Sequence, residues 1–75
     1  MTAIARDLQR QTLRKLELIH AAAQLGDLLI PPGNQLERLK GDLSAYHSVR
    51  VNKQWRICFM WTDGGAEDVT LVDYH

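Results

Sequence analysis

Apolar residues recur at helical spacing in the first third of the chain and alternate with polar ones in the last third. From about Ala3 to Leu25, the positions Ile4, Leu8, Leu16, Ile19 and Ala23 fall on one stripe, with Thr12 at the single gap. This predicts one long amphipathic helix. Arg6, Arg10 and Arg14 form an i, i+4, i+8 row on its opposite side, and Gly26 is placed to end it in the left-handed conformation. From Tyr46 the period drops to two. Tyr46–Val51, Trp55–Trp61 and Asp68–Tyr74 are predicted strands, joined by turns at Asn52-Lys53-Gln54 and Thr62-Asp63-Gly64-Gly65. Between helix and strands, Ile30-Pro31-Pro32-Gly33-Asn34 reads as a rigid loop. Gln35 to Lys40 suits either one helical turn or a short extended piece, and Gly41-Asp42 marks a further turn. The expected fold is α+β, one domain over residues 1–75, with an N-terminal helix followed by a three-stranded antiparallel meander.

The register of the first hairpin follows from packing. Val49 and Val51 must share a core face with Trp55, Ile57 and Phe59, which requires a three-residue connection with Val51 opposite Trp55. Arg50 then stands directly opposite Arg56 on the other face. Facing like charges cost roughly 0.2–1 kcal/mol. An anion between the two would account for that cost.

Composition narrows the picture. Seventy-five residues form a small domain, burying only ~60% of the unfolded surface, so a partner or self-association is expected to help stabilise it. With 45% apolar and 24% charged residues the chain resembles an ordinary soluble protein. No apolar run approaches the ~18 residues of a membrane span, and the first residues lack the apolar core of a signal peptide. The single cysteine, Cys58, lies in a predicted strand and reads as a small buried hydrophobe; one thiol forms no internal disulfide, which fits a reducing cytoplasm. Net charge is zero, so any nucleic-acid contact must come from local patches. One such patch is the basic start, where Arg6, Arg10, Arg14 and Lys15 face only Asp7.

Three constellations carry candidate chemistry. Arg50 and Arg56, with Lys40 near them, offer guanidinium forks that match a phosphate; the plain alternative is a pair of solvated strand residues. Asp73-Tyr74-His75 offers a carboxylate, a phenol and an imidazole, and the His75 proton moves near neutral pH; the plain alternative is a frayed end. Strand alternation puts Asp73 and His75 on one face and Tyr74 on the other, and the parity of the second hairpin decides which joins the arginines. The Arg6, Arg10 and Arg14 row could track phosphates of ribosomal RNA or meet an acidic partner; the plain alternative is a solvated helix face partly neutralised by Asp7 and Glu17. His20 and His47 are isolated, so no metal-ligand spacing is present. Neither a Ser or Cys nucleophile with a base nor a Gly-rich phosphate loop is recognisable.

The run Pro-Pro-Gly-Asn-x-Leu-Glu-x-Leu-Lys-Gly-Asp from Pro31, then Val-Asn-x-Gln-Trp-Arg-Ile-Cys-Phe from Val51, then the terminal Val-Asp-Tyr-His resembles the HigB-type toxins of the RelE superfamily. The resemblance is loose over the helix and close from Ile30 to His75. It implies the toxin half of a bacterial toxin–antitoxin pair that cuts mRNA in the ribosomal A site without a metal or other cofactor, neutralised by a HigA-type antitoxin. It also implies that Lys40 and Arg56 hold the scissile phosphate and that Asp73, Tyr74 and His75 serve activity. Glu37 stands where some members carry a histidine, and could act as a base or cap the local turn. Members normally begin with a strand and a short helix ahead of the long helix. Their absence here predicts an open sheet edge and an uncovered apolar strip, and with them homodimerisation, strand exchange, dependence on antitoxin or lost activity.

The leading expectation is therefore a ribosome-dependent mRNA endonuclease whose partners are the antitoxin, the ribosome and mRNA, with no membrane association. An inactive truncated toxin that still binds antitoxin is the alternative, and a small RNA-binding protein without cleavage is the third reading.

Overall fold

Arg6 to Ala21 form a 16-residue helix, α1, in a computed structural model that describes residues 6–73. The predicted positions Ala3 to Ala5, with Ile4 of the stripe, and the terminal Tyr74 and His75 lie outside the described residues. The side of α1 turned inward is marked by Leu8 and Ile19, both buried, with Thr12, Lys15 and Ala22 half-buried beside them. Ala23, assigned to the stripe by periodicity, is exposed, because the helix stops at Ala21 and not at Leu25. The terminator also differs from expectation. Gly26 does not take a left-handed conformation; it sits inside a 3₁₀ turn spanning Leu25–Leu29. The Asp27 carboxylate accepts hydrogen bonds from the amides of Ala23 (2.9 Å) and Gln24 (3.1 Å), satisfying donors at the break and redirecting the chain.

Asn34 anchors the proline loop. It is 1% exposed; its amide donates to the carbonyls of Leu28 (3.2 Å) and Ile30 (3.5 Å), and its side-chain oxygen accepts from Lys15 of α1. The segment that sequence left ambiguous is extended: Glu37–Arg38 form a two-residue strand, β1. Tyr46–Arg50 (β2), Trp55–Thr62 (β3) and Gly65–Asp73 (β4) complete an antiparallel sheet in the order β1-β2-β3-β4. The sheet thus has four strands where three were expected. The α+β class stands.

The first hairpin has the expected register, with Val49 opposite Ile57 and Arg50 opposite Arg56. Its three-residue turn closes because the Asn52 side-chain oxygen accepts from the amides of Gln54 (2.8 Å) and Trp55 (2.9 Å). The second hairpin is tighter than its alternation suggests. Thr62 pairs with Gly65 across Asp63-Gly64, so β4 starts three residues before Asp68. A bulge then sets Asp68 and Val69 against Phe59 alone, with Asp68 at φ 53°. That interruption of the alternation hides the start of the strand in the sequence.

Helix and sheet enclose one core. Val49, Val51, Ile57 and Phe59 on the inner face pack with Leu8, Ile19 and Leu28, and Trp55, Trp61 and Leu71 close its margin. His47 also lies on this face, stacked on Phe59 at 6.3 Å between ring centroids. The outer face carries Tyr46, Ser48 and Arg50 from β2 with Arg56, Cys58 and Met60 from β3. No helix among the described residues is long and apolar enough to cross a membrane.

Candidate active site

The outer sheet face gathers its polar groups around Arg56. Although arginine is rarely hidden, Arg56 is only 7% exposed. Its Nε donates to the hydroxyl of Ser48 at 2.8 Å, and its Nη2 donates to the carbonyls of Ser48 (3.3 Å) and Gln35. A carboxylate oxygen of Glu37 lies 3.8 Å from the same Nη2, and the Glu37 side chain is 59% exposed. Each contact has a local origin. Glu37 pairs with Ser48 across β1 and β2, which puts both on the face of Arg56. Gln35 takes a left-handed conformation (φ 44°, ψ 56°) at the end of the proline loop, and its carbonyl meets the guanidinium there.

The other candidates divide by position. Arg50 is the register partner of Arg56 and is half-buried. Lys40 is exposed, two residues beyond β1 and at the start of a 3₁₀ turn over Gly41–Leu43. Asp73 pairs with Trp55 and Val72 with Arg56, so parity puts Asp73 on the inner face, away from the arginines. There Asp73 accepts a hydrogen bond from the Gln54 side-chain Nε2 at 3.3 Å. Tyr74 and His75 lie outside the described residues. Arg6, Arg10 and Arg14 are exposed on α1, which covers the opposite side of the sheet; Arg10 makes an exposed ion pair with Asp7 at 3.6 Å.

Ser48 and Gln35 were missed by sequence reasoning. The signal for Ser48 was its parity, since it shares the face of Arg50 and lies diagonal to Arg56. Gln35 acts through its main chain and leaves no side-chain signature. A second pair was also missed: the Tyr46 hydroxyl donates to Asp68 across β3, and this bond, followed by burial and the Asp68 charge, raises the phenol's pKa above its usual value. Burial raises the Cys58 thiol more strongly than the nearby Arg56 lowers it, which fits an inert residue. Among the described residues, no three His, Cys, Asp or Glu side chains are grouped to hold a metal ion.

The arrangement is a buried cation fixed in place with an exposed carboxylate beside it. It can bind a phosphate dianion or diester and present a proton acceptor beside it.

Comparison with known proteins agrees with the motif resemblance. Residues 1–75 match the family described as RelE-like toxin of type II toxin–antitoxin system HigB. The chain is 46% identical over 72 residues to Toxin HigB-1 of Vibrio cholerae, covering 96% of this chain and 75% of that protein. It is 37% identical over 71 residues to Endoribonuclease HigB of Proteus vulgaris, covering 95% and 75%. An uncharacterised protein of Haemophilus influenzae is 34% identical over 68 residues, covering 91% and 67%. The chain belongs to the HigB-like family of RelE-like toxins, the toxin halves of type II toxin–antitoxin pairs.

Proposed function

We propose that this toxin is an endoribonuclease that cuts mRNA on the ribosome, using the outer sheet face as its active site. The observation that carries this reading is the buried, anchored Arg56 with the Glu37 carboxylate 3.8 Å from its Nη2. Arg56 holds the scissile phosphate and neutralises charge that builds on its oxygens. Glu37 takes the proton from the ribose 2′-hydroxyl, whose oxygen attacks the adjacent phosphorus. The bond to the 5′-oxygen breaks, and that oxygen receives a proton from Lys40 or from the terminal Tyr74 or His75. The products are a 2′,3′-cyclic phosphate and a 5′-hydroxyl end. Arg50 binds the neighbouring phosphate. Asp73, on the inner face, holds the end of β4 through Gln54 and takes no proton.

Arg6, Arg10 and Arg14 bind RNA from the other side of the molecule. One RNA strand on the outer face does not reach them, whereas a ribosomal cleft enclosing a protein with extents of 37 × 27 × 21 Å does. The reaction is cytoplasmic, the antitoxin is of the HigA type, and a second copy can pair along the outer edge of β4.

The test is a purified translation system with a defined message. The expected result is cleavage of the ribosome-bound message to cyclic-phosphate and 5′-hydroxyl ends, with naked message left intact. Intact message in both arms, with antitoxin binding retained, would replace this reading by that of a non-cleaving antitoxin-binding module.

A further inference from the structure

We propose that Ser48 is the positioning residue of the site: with the Gln35 carbonyl it fixes the guanidinium of Arg56 in the orientation that receives the phosphate. The inference rests on the cleavage reading above and adds a residue to it. Ser48 is 0% exposed, so it makes no contact with RNA and acts only through what it holds. It holds Arg56 by two separate atoms, its hydroxyl on Nε and its carbonyl on Nη2. These donors lie along one edge of the planar guanidinium, so the pair defines the plane of the group and not merely its location. The Gln35 carbonyl meets Nη2 from the loop side, which leaves Arg56 spanned between β2 and the segment entering β1.

The sequence position suits this task. Ser48 pairs with Cys58 and with Glu37, so one residue sits between the strand carrying the cation and the strand carrying the carboxylate. Its side chain is short enough to lie beneath Arg56 while the longer Glu37 reaches past it to the exposed side. Gln35 is a non-glycine residue held at φ 44°, a conformation that a surrounding structure must enforce. The enforcing contacts are on its neighbour: Asn34 is clamped by Leu28, Ile30 and Lys15. The route from α1 through Asn34 and Gln35 to Arg56 ties the placement of the cation to the core.

Preorganisation of this kind acts on the chemical step. A guanidinium free to rotate still attracts a phosphate, but it no longer presents its donors where charge develops, and misplacement on the scale of 1 Å can cost about 100-fold in rate. Ser48→Ala is therefore expected to lower single-turnover cleavage at saturating ribosome concentration roughly 10- to 100-fold, with the half-saturating concentration changed less than about threefold. In an Arg56→Lys background, which lacks the Nε donor, the same substitution is expected to change the rate less than about twofold. The anchor is read independently of activity from the Arg56 Nε–H proton resonance. It should be protected from exchange in the wild type and lose that protection in Ser48→Ala, while the backbone spectrum stays native. Equal cleavage by wild type and Ser48→Ala, an equal loss in both backgrounds, or an equally protected Nε–H in both proteins would each overturn the positioning role. A wild-type toxin that leaves ribosome-bound message uncut would overturn the cleavage reading and this role with it.

Discussion

Arg50 and Arg56 are register partners on neighbouring strands, yet their side chains have different surroundings: Arg56 is buried and Arg50 is half-buried. The difference comes from the direction Arg56 takes. Its guanidinium leans to the diagonal neighbour Ser48, two residues from Arg50, and gathers acceptors there. The two cations still stand as partners across the strand pair. Arg50→Ala should therefore raise stability by about 0.2–1 kcal/mol in urea unfolding, the relief of one facing like charge. The same variant should bind RNA more weakly and with a shallower dependence on salt, the slope falling by about one. A stability loss with unchanged salt dependence would count against a phosphate-binding role for Arg50.

Asn34 links helix, loop and site through buried hydrogen bonds. Asn34→Ala leaves the Leu28 and Ile30 carbonyls without their donor and should cost about 1–3 kcal/mol in stability. Denaturant unfolding measures this directly, and a change within about 0.5 kcal/mol would show that the loop is held by other contacts.

Much of this architecture is legible from residues alone, and the departures have physical causes. The first hairpin was predictable because Val49, Val51, Ile57 and Phe59 can be buried together in only one parity, which fixes Arg50 opposite Arg56. The helix end departs from its sequence pattern because a carboxylate, Asp27, makes the break for which Gly26 is suited by residue type. β1 is too short to show alternation, so its pairing with β2, and with it the approach of Glu37 to Arg56, emerges only in three dimensions. In the terminal strand the bulge at Asp68 interrupts the alternation, which obscured where β4 begins. The facing of Asp73 was open until the register paired it with Trp55. Sequence singled out Arg56 and Glu37 but not what holds Arg56 in place.

His47 is a test of the inner face. Burial first, and the Arg38 charge second, lower its pKa below the usual 6.5, and its Nδ1 has no hydrogen-bond partner among the described residues. A folded-state pKa below the unfolded one means that the unfolded chain binds the extra proton more readily. Stability is therefore complete above about pH 6.5 and is lost as pH falls below it. Thermal unfolding between about pH 7.5 and 5.5 should show a steeper loss for the wild type than for His47→Phe. Parallel pH profiles would contradict the assignment.

Cys58 should be chemically silent in the folded toxin. It is 9% exposed and burial raises its pKa, so little thiolate is available. A thiol reagent at neutral pH should modify it slowly in native protein and at the free-cysteine rate in denaturant. Fast modification in native protein would show that the outer face opens around Cys58.

If RNA is cut at Arg56 on the outer sheet face, the rate of message cleavage on ribosomes by Arg56→Ala and Arg56→Lys reads it without intermediaries. Both variants are first checked for native folding and antitoxin binding. A fall of about 100-fold or more is expected for Arg56→Ala and a smaller but clear loss for Arg56→Lys, which keeps the charge without the fork. Folded variants that cut within about threefold of the wild-type rate would contradict cleavage at this site.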